Sequence, residues 1–127
     1  MDENELATLV VDAAYRVHVE LEPALLESVY ETVLAYELGK RGLEVRRQVL
    51  LPIRYDGREF EETFRIDLLV NDKLILELKS VENVQAVHLK QLLTYLRLAD
   101  KRLGLLLNFG KSRMKDGIER SANGMTD

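Results

Sequence analysis

The sequence contains no cysteine and no tryptophan among its 127 residues, and it has only two prolines and seven glycines. Without cysteine there are no disulfides and no zinc sites with thiolate ligands, so oxygen and imidazole groups are the metal ligands that remain. Long apolar runs are also missing, because the longest, residues 103–107, is far too short to cross a bilayer. No charged and then apolar leader opens the chain, so we expect a soluble cytoplasmic protein that does not enter a membrane.

Charge is distributed unevenly, although the net charge is only -4. Residues 1–37 contain nine acidic residues and one basic residue, whereas residues 101–127 contain six basic and three acidic residues. The basic side chains of the second segment either contact phosphates or form a solvated surface, and the charge pattern alone favours the solvated surface. They are Lys101, Arg102, Lys111, Arg113, Lys115 and Arg120.

Apolar residues recur at helical spacing in two segments near the start of the chain. The first helix is predicted from Leu6, Leu9, Val10, Ala13, Ala14 and Val17. Pro23 ends this helix or begins the next one, which ends near Gly39 or Gly42. The second helix is predicted from Leu26, Val29, Tyr30, Val33 and Leu34.

Beyond the second helix the apolar spacing changes to two, which is typical of β-strands. A turn at residues 56–57 makes a hairpin of the runs 45–55 and 59–70. A second turn at residues 71–72 leads into a third strand over residues 74–79. We therefore predict a three-stranded antiparallel meander.

The remaining residues complete the predicted fold. Residues 84–99 return to helical spacing, and residues 103–109 form a nearly continuous apolar run, as in a strand covered on both faces. The predicted order is α-α-β-β-β-α-β, in a single α/β domain over residues 1–127. We expect the meander to pair with the final strand in a mixed sheet flanked by helices.

Three charged residues interrupt the apolar strands of this predicted sheet. Glu77 and Lys79 lie on one face of the third strand, and Asp67 lies in an equally apolar part of the second strand. Burying an ionised side chain is costly unless the charge is paired or bound to a metal. A surface ion pair on an edge strand would explain Glu77 and Lys79 equally well, but Asp67 favours a built site with an open cleft.

The register of the second and third strands decides whether Asp67 and Glu77 act together. A two-residue turn would set Asp67 opposite Leu76 and direct it away from the face of Glu77. A three-residue loop over residues 71–73, or one bulge, sets Asp67 directly across from Glu77. We predict this odd-numbered connection.

Oxygen ligands for a hard cation would then meet at one place. The two carboxylates and the backbone carbonyl of Leu78 form a ligand set of the kind that Mg²⁺ or Mn²⁺ accepts. A bound metal would lower the pKa of a water ligand and neutralise charge on a phosphate. Lys79 would orient or deprotonate that water, or stabilise the transition state. This pattern indicates phosphodiester hydrolysis.

The run Arg-Ile-Asp at 65–67, followed by Glu-Leu-Lys at 77–79, resembles the D…ExK signature of the PD-(D/E)XK nuclease superfamily. Over about residues 10–124 the chain is similar to its GxxExxY group, which is named after a helical motif. The resemblance implies a restriction-endonuclease-like fold and a metal-dependent nuclease.

Further site residues follow from this resemblance. Glu27 and Tyr30 match the helical motif, whereas Ala24 replaces its glycine. Glu27 would complete the ligand shell of the metal, directly or through water. The resemblance also implies a glutamine and tyrosine pair on the next helix, matched by Gln91 and Tyr95, which would position the lysine or the phosphate. By spacing alone, Glu27 is equally an exposed helix acid, and the other two belong to a solvated polar strip with His88.

The only histidines, His18 and His88, lie on different predicted helices, so a histidine metal site is not expected. His18 precedes the turn before Glu27, and the resemblance suggests that it borders the same cleft.

The interpretation that we favour is a magnesium-dependent nuclease that hydrolyses phosphodiester bonds of DNA, or of RNA. The resemblance of Gln91 and Tyr95 suggests an exonuclease-like reaction, and the sequence leaves the choice between cleavage from an end and internal cleavage open. One alternative is a catalytically idle module on the same fold that binds nucleic acid or protein. Another is a structural interaction domain that uses its acidic first helix. Because such a small domain has little surface for reading sequence, we expect a protein partner or self-association to supply specificity.

Overall fold

The structure is a computed structural model that describes residues 1–125, apart from the side chains of residues 62 and 63. The end of the predicted domain, residues 126–127, lies outside the described residues. The helices are α1 (Glu3–Leu21), α2 (Glu27–Lys40) and α3 (Ala86–Ala99). The strands are β1 (Val45–Tyr55), β2 (Arg58–Val70), β3 (Leu74–Lys79), β4 (Leu103–Asn108) and β5 (Ile118–Ala122), with a short 3-10 helix, Met114–Gly117, before β5. Among these residues no helix is both long and apolar enough to cross a membrane.

The first helix begins with a capping box. The Glu5 N–H donates to Asp2 Oδ1 at 2.8 Å, and the Asp2 N–H donates to Glu5 Oε1 at 3.2 Å. The predicted apolar stripe of α1 packs with Tyr30, Val33 and Leu34 of α2 into one core, in which Leu6, Val10 and Leu34 are fully buried. The other two residues of the predicted α2 stripe do not belong to this core, because Leu26 precedes the helix and both Leu26 and Val29 are exposed. Both predicted helices are confirmed.

The strands follow the same order across the sheet as along the chain. The first three form the predicted antiparallel meander, β4 is parallel to β3, and β5 is antiparallel to β4. A parallel pair needs a crossover connection, and α3 supplies it. The mixed sheet and the predicted order of the first seven elements are confirmed.

The strand β5 was not predicted. Residues 118–122 belong to the basic C-terminal segment, yet they pair with β4, with Leu107 opposite Ile118 and Leu103 opposite Ala122. This strand lies at the edge of the described sheet, where few apolar side chains are needed. The alternation that reveals a half-buried strand is therefore weak.

Helices cover both faces of the sheet, as predicted. One core lies between the sheet and the pair α1 and α2, and the other lies between the sheet and α3. Leu76 and Leu78 belong to the first core and Ile75 to the second, so β3 alternates between them. All six residues of β4 are buried, which agrees with its continuous apolar run.

The turn between β2 and β3 has the predicted odd number of residues. Val70 pairs with Leu74, and Leu68 pairs with Leu76, which leaves residues 71–73 as the loop. The first two loop residues, Asn71 and Asp72, have φ values of 51° and 53°. The predicted three-residue connection is confirmed, and the regular pairs end at Leu68 and Leu76, one residue short of Asp67 and Glu77.

Candidate functional site

Two hydrogen bonds between β2 and β3 hold the side chains of Asp67 and Glu77. The Leu78 N–H donates to Asp67 Oδ2 at 2.8 Å, and the Asp67 N–H donates to Glu77 Oε1 at 3.2 Å. The regular pairing of the two strands ends at Leu68 and Leu76, so these side-chain bonds continue the connection beyond the regular pairs. Both carboxylates are therefore held at one end of β3.

Burial and mutual repulsion make the two carboxyl groups unusual. Glu77 is buried, and this burial, with the negative charge of Asp67, raises the pKa of Glu77 to about 9. Burial also raises the pKa of Asp67, against the hydrogen bond from Leu78. The charges of Glu31 and then Glu27 raise the pKa of Asp67 further. A cation would relieve this repulsion.

Lys79 ends β3 beside the two carboxylates. Its positive charge acts to lower the pKa of both Asp67 and Glu77, so the ammonium lies within electrostatic reach of each. Its backbone carbonyl accepts a hydrogen bond from the Phe109 N–H at 2.8 Å. The strand end that carries Lys79 is thus fixed against the chain that follows β4.

A group of polar residues next to Asp67 was not predicted from the sequence. Glu31 is buried on α2, and the Arg47 Nε and Nη2 donate to its Oε2 at 3.1 and 3.0 Å. Gln48 Nε2 donates to Glu31 Oε1 and lies 3.5 Å from Asp67 Oδ1. The sequence does contain an indication of Glu31, because Glu27 and Glu31 are four residues apart and share a helix face.

Glu27, the predicted additional ligand, is exposed at the first position of α2. It influences Asp67 through its charge, and the effect of Glu31 ranks ahead of it. Among the described residues, no three acidic or histidine side chains are gathered closely enough to hold a metal by themselves. Of the side chains predicted as metal ligands, the structure brings Asp67 and Glu77 together.

Residues 4–121 match the family model described as the PD-(D/E)XK nuclease superfamily. The chain belongs to this superfamily. A solved structure, the crystal structure of a protein designated SSO0001, is similar in fold to this PD-(D/E)XK domain, with a TM-score of 0.58 and 20% sequence identity. The similarity covers 92% of this chain and 67% of that one. No protein with a curated description matches the chain.

Tyr95 of the PD-(D/E)XK domain borders the carboxylates. It is buried, with its ring 5.4 Å from that of Phe64, and the Arg65 backbone hydrogen-bonds to its hydroxyl. Burial, followed by the charges of Glu77 and Asp67, raises the pKa of Tyr95. The predicted partner of Tyr95, Gln91, is partly buried one turn earlier on α3.

Tyr30, which matches the helical motif, holds the chain that enters α2. Its hydroxyl donates to the Glu22 carbonyl at 2.5 Å and accepts from the Leu25 N–H at 3.0 Å. Its ring is fully buried and stacks on Phe109, with centroids 4.4 Å apart. Ala24, which replaces the motif glycine, has a φ of 65°, a left-handed conformation that glycine adopts more easily.

The two histidines make local contacts. His18 Nε2 donates to the Lys111 carbonyl at 2.7 Å, and its ring stacks at 6.3 Å on Phe109. His88 Nδ1 accepts from the Gln85 N–H at 3.1 Å, at the start of α3. His18 therefore supports the segment after β4.

The basic residues from position 101 onward do not share one surface. Lys101 precedes β4 and forms an ion pair with Asp72 at 3.1 Å. It lies at one end of β4, whereas Asn108, which is opposite Lys79 in the sheet, lies at the other end. Lys111 follows β4 and donates to Asn83 Oδ1 at 3.0 Å. The basic side chains are thus distributed between both ends of the sheet and β5.

Proposed function

We propose that this PD-(D/E)XK domain is a metal-dependent nuclease in which Asp67 and Glu77 hold Mg²⁺ or Mn²⁺. The observation that carries the proposal is the pair of cross-strand hydrogen bonds that holds both carboxylates at the end of β3. Carboxylate oxygens brought together against their own repulsion are suited to a hard divalent cation. The Leu78 carbonyl supports this ligand set, because the N–H and C=O of a strand residue point to the same side and the Leu78 N–H faces Asp67.

The other site residues have distinct proposed roles. Bound here, the cation would supply an activated water and a positive charge at the scissile phosphate. Lys79 orients that water or neutralises charge on the phosphate, since its ammonium lies within electrostatic reach of both carboxylates. Tyr95 and Gln91 position the lysine or the phosphate from α3. Glu27 contributes from the solvent side, through water.

The substrate is proposed to be DNA, cut by an exonuclease-like reaction. We assign the chain to the GxxExxY group, and the left-handed φ of Ala24 supports this, because glycine is the residue that favours this conformation. Residues 1–127 would act as a single domain in the cytoplasm. A protein partner or a second copy would add specificity to its small surface.

The direct test incubates labelled single- and double-stranded DNA and RNA with the full chain in Mg²⁺ or Mn²⁺. We expect cleavage of DNA by the wild type, and a loss of about 100-fold in Lys79→Ala, because one transition-state contact is removed. Lys115→Ala, a change of the same type at an exposed residue, should cleave like the wild type. Equal cleavage by wild type and Lys79→Ala would indicate a contaminating nuclease. Binding without cleavage by the wild type would favour the idle binding module.

A further inference from the structure

Gln48 has a backbone conformation that is unusual for its place in a strand. Its φ is 52°, although its neighbours Arg47 and Val49 keep one antiparallel register with Leu68 and Ile66. A left-handed φ is unfavourable for every residue except glycine, and Gln48 is not in a turn. Such conformations persist where the surrounding structure enforces them, and they are concentrated at functional sites.

This conformation directs the Gln48 amide between two carboxylates. Its Nε2 donates to Glu31 Oε1 and lies 3.5 Å from Asp67 Oδ1. An amide nitrogen carries two hydrogens, so one group can serve both acids. On the other side of Glu31, the Arg47 guanidinium donates twice to Oε2, which fixes the acid that holds Gln48.

Asp67 therefore has a contact at each oxygen. The Leu78 N–H holds Oδ2 at 2.8 Å, and Gln48 faces Oδ1. A carboxylate approached from both sides has few orientations left, and a fixed orientation is what a metal ligand requires. Glu31 and Glu27 lie on the same helix, but Glu31 is buried and hydrogen-bonded, whereas Glu27 is exposed.

We propose that Gln48 is a positioning residue, anchored by Glu31 and Arg47, that orients Asp67 for metal binding. The proposal rests on the proposed function, since it assumes that Asp67 is a metal ligand. It explains why an exposed position keeps a glutamine in a conformation that suits glycine. A residue kept for the fold alone would gain from being glycine.

The test compares Gln48→Ala and Gln48→Gly in the full chain, by calorimetric titration with Mn²⁺ and by thermal unfolding. Both variants lack the amide, so both should bind Mn²⁺ about tenfold more weakly than the wild type, or weaker still. Only alanine retains the backbone strain, so Gln48→Gly should melt at a higher temperature than Gln48→Ala. Metal affinity would follow the side chain, whereas stability would follow the backbone.

Asp100→Gly is the matched backbone control. Asp100 follows α3 and has a φ of 54°. It lies near the end of the sheet where β4 begins, and Lys79 lies at the opposite end. The Asp100→Gly variant should melt at a higher temperature than the wild type and bind Mn²⁺ with unchanged affinity.

The outcomes separate this inference from the proposed function. Wild-type affinity in both Gln48 variants overturns the positioning role and leaves the nuclease proposal intact. Affinity lost in Gln48→Ala but restored in Gln48→Gly also overturns it, because the backbone would then be the cause. Absence of Mn²⁺ binding by the wild type at millimolar metal overturns both proposals.

Discussion

At the scale of single residues, Ala24 shows how a sequence motif reports a backbone conformation. Its φ of 65° places an L-residue in the left-handed region, where the β-carbon crowds the following carbonyl. The GxxExxY group, to which we propose to assign the chain, has glycine at the matching position. The sequence alone shows this substitution but not the conformation, which the structure supplies.

Ala24→Gly should therefore stabilise the protein. Relief of the left-handed conformation favours the folded state, and we expect the free energy of unfolding to rise by about 1 kcal/mol. Urea denaturation followed by circular dichroism measures it. Ala35→Gly, inside α2, is the opposite control and should lower the same quantity by about 1 kcal/mol. A decrease in both variants would contradict the argument.

The residues of the site differ in how far the sequence reveals them. Asp67, Glu77 and Lys79 were found because charges are unexpected in apolar strands. Gln48 and Glu31 were missed for the opposite reason, because an amide in a polar strand and an acid on a helix look like ordinary surface residues. Gln48 is distinguished by its φ and Glu31 by its burial, and neither property can be inferred from the residue type.

At the scale of elements, the start of α2 depends on one aromatic hydroxyl. Tyr30 is bonded to Glu22 and Leu25, and so ties the segment before the helix to the helix itself. This segment also has Ser80 Oγ donating to the Leu25 carbonyl, a contact from the chain just beyond β3. The position of α2, which carries Glu31, is thus linked to the end of the strand that carries Lys79.

Tyr30→Phe should loosen this connection while preserving the stacked ring. It leaves the Glu22 carbonyl and the Leu25 N–H without their partner, so we expect a loss of about 1 kcal/mol in the free energy of unfolding. Hydrogen exchange at the Leu25 amide should accelerate beyond this global effect. Tyr36→Phe, on the exposed side of the same helix, should change neither measurement. Unchanged exchange at Leu25 in Tyr30→Phe would refute the role of the hydroxyl.

Elements with a strong periodic pattern were predictable, and the weakly patterned ones were not. The two first helices and the meander each bury a repeating apolar face, which leaves a clear pattern in the sequence. The register at residues 71–73 was predictable because only one choice places Asp67 and Glu77 together. The strand β5 has exposed or partly exposed residues throughout, so its pairing with β4 leaves little trace in the sequence.

At the scale of the whole molecule, Glu77 makes stability depend on pH. Its folded pKa of about 9 lies above the ordinary value of 4.5, so the folded state binds this proton more tightly than the unfolded state does. The stability that this tighter proton binding contributes to the folded state is fully present below about pH 4.5 and is lost as the pH rises towards about 9. The raised pKa of Asp67 acts in the same direction.

Metal-free wild type should therefore lose stability between about pH 5 and about pH 9. Glu77→Gln keeps a neutral side chain of the same shape, so its stability should decline less and should exceed that of the wild type near the upper limit. Urea unfolding in a chelating buffer at several pH values measures this difference. Parallel curves for the two proteins would show that Glu77 is not the group responsible.

The chain-ordered sheet has a consequence for how the protein is made. Each strand pairs with the one synthesised before it, so no strand has to enter between two that are already paired. Asp67 and Glu77 are only ten residues apart, and the meander that unites them can form while α3, β4 and β5 are still being translated. Such short-range pairing favours rapid folding. We therefore expect the two acids to meet on the ribosome, before the second helical layer exists to cover them.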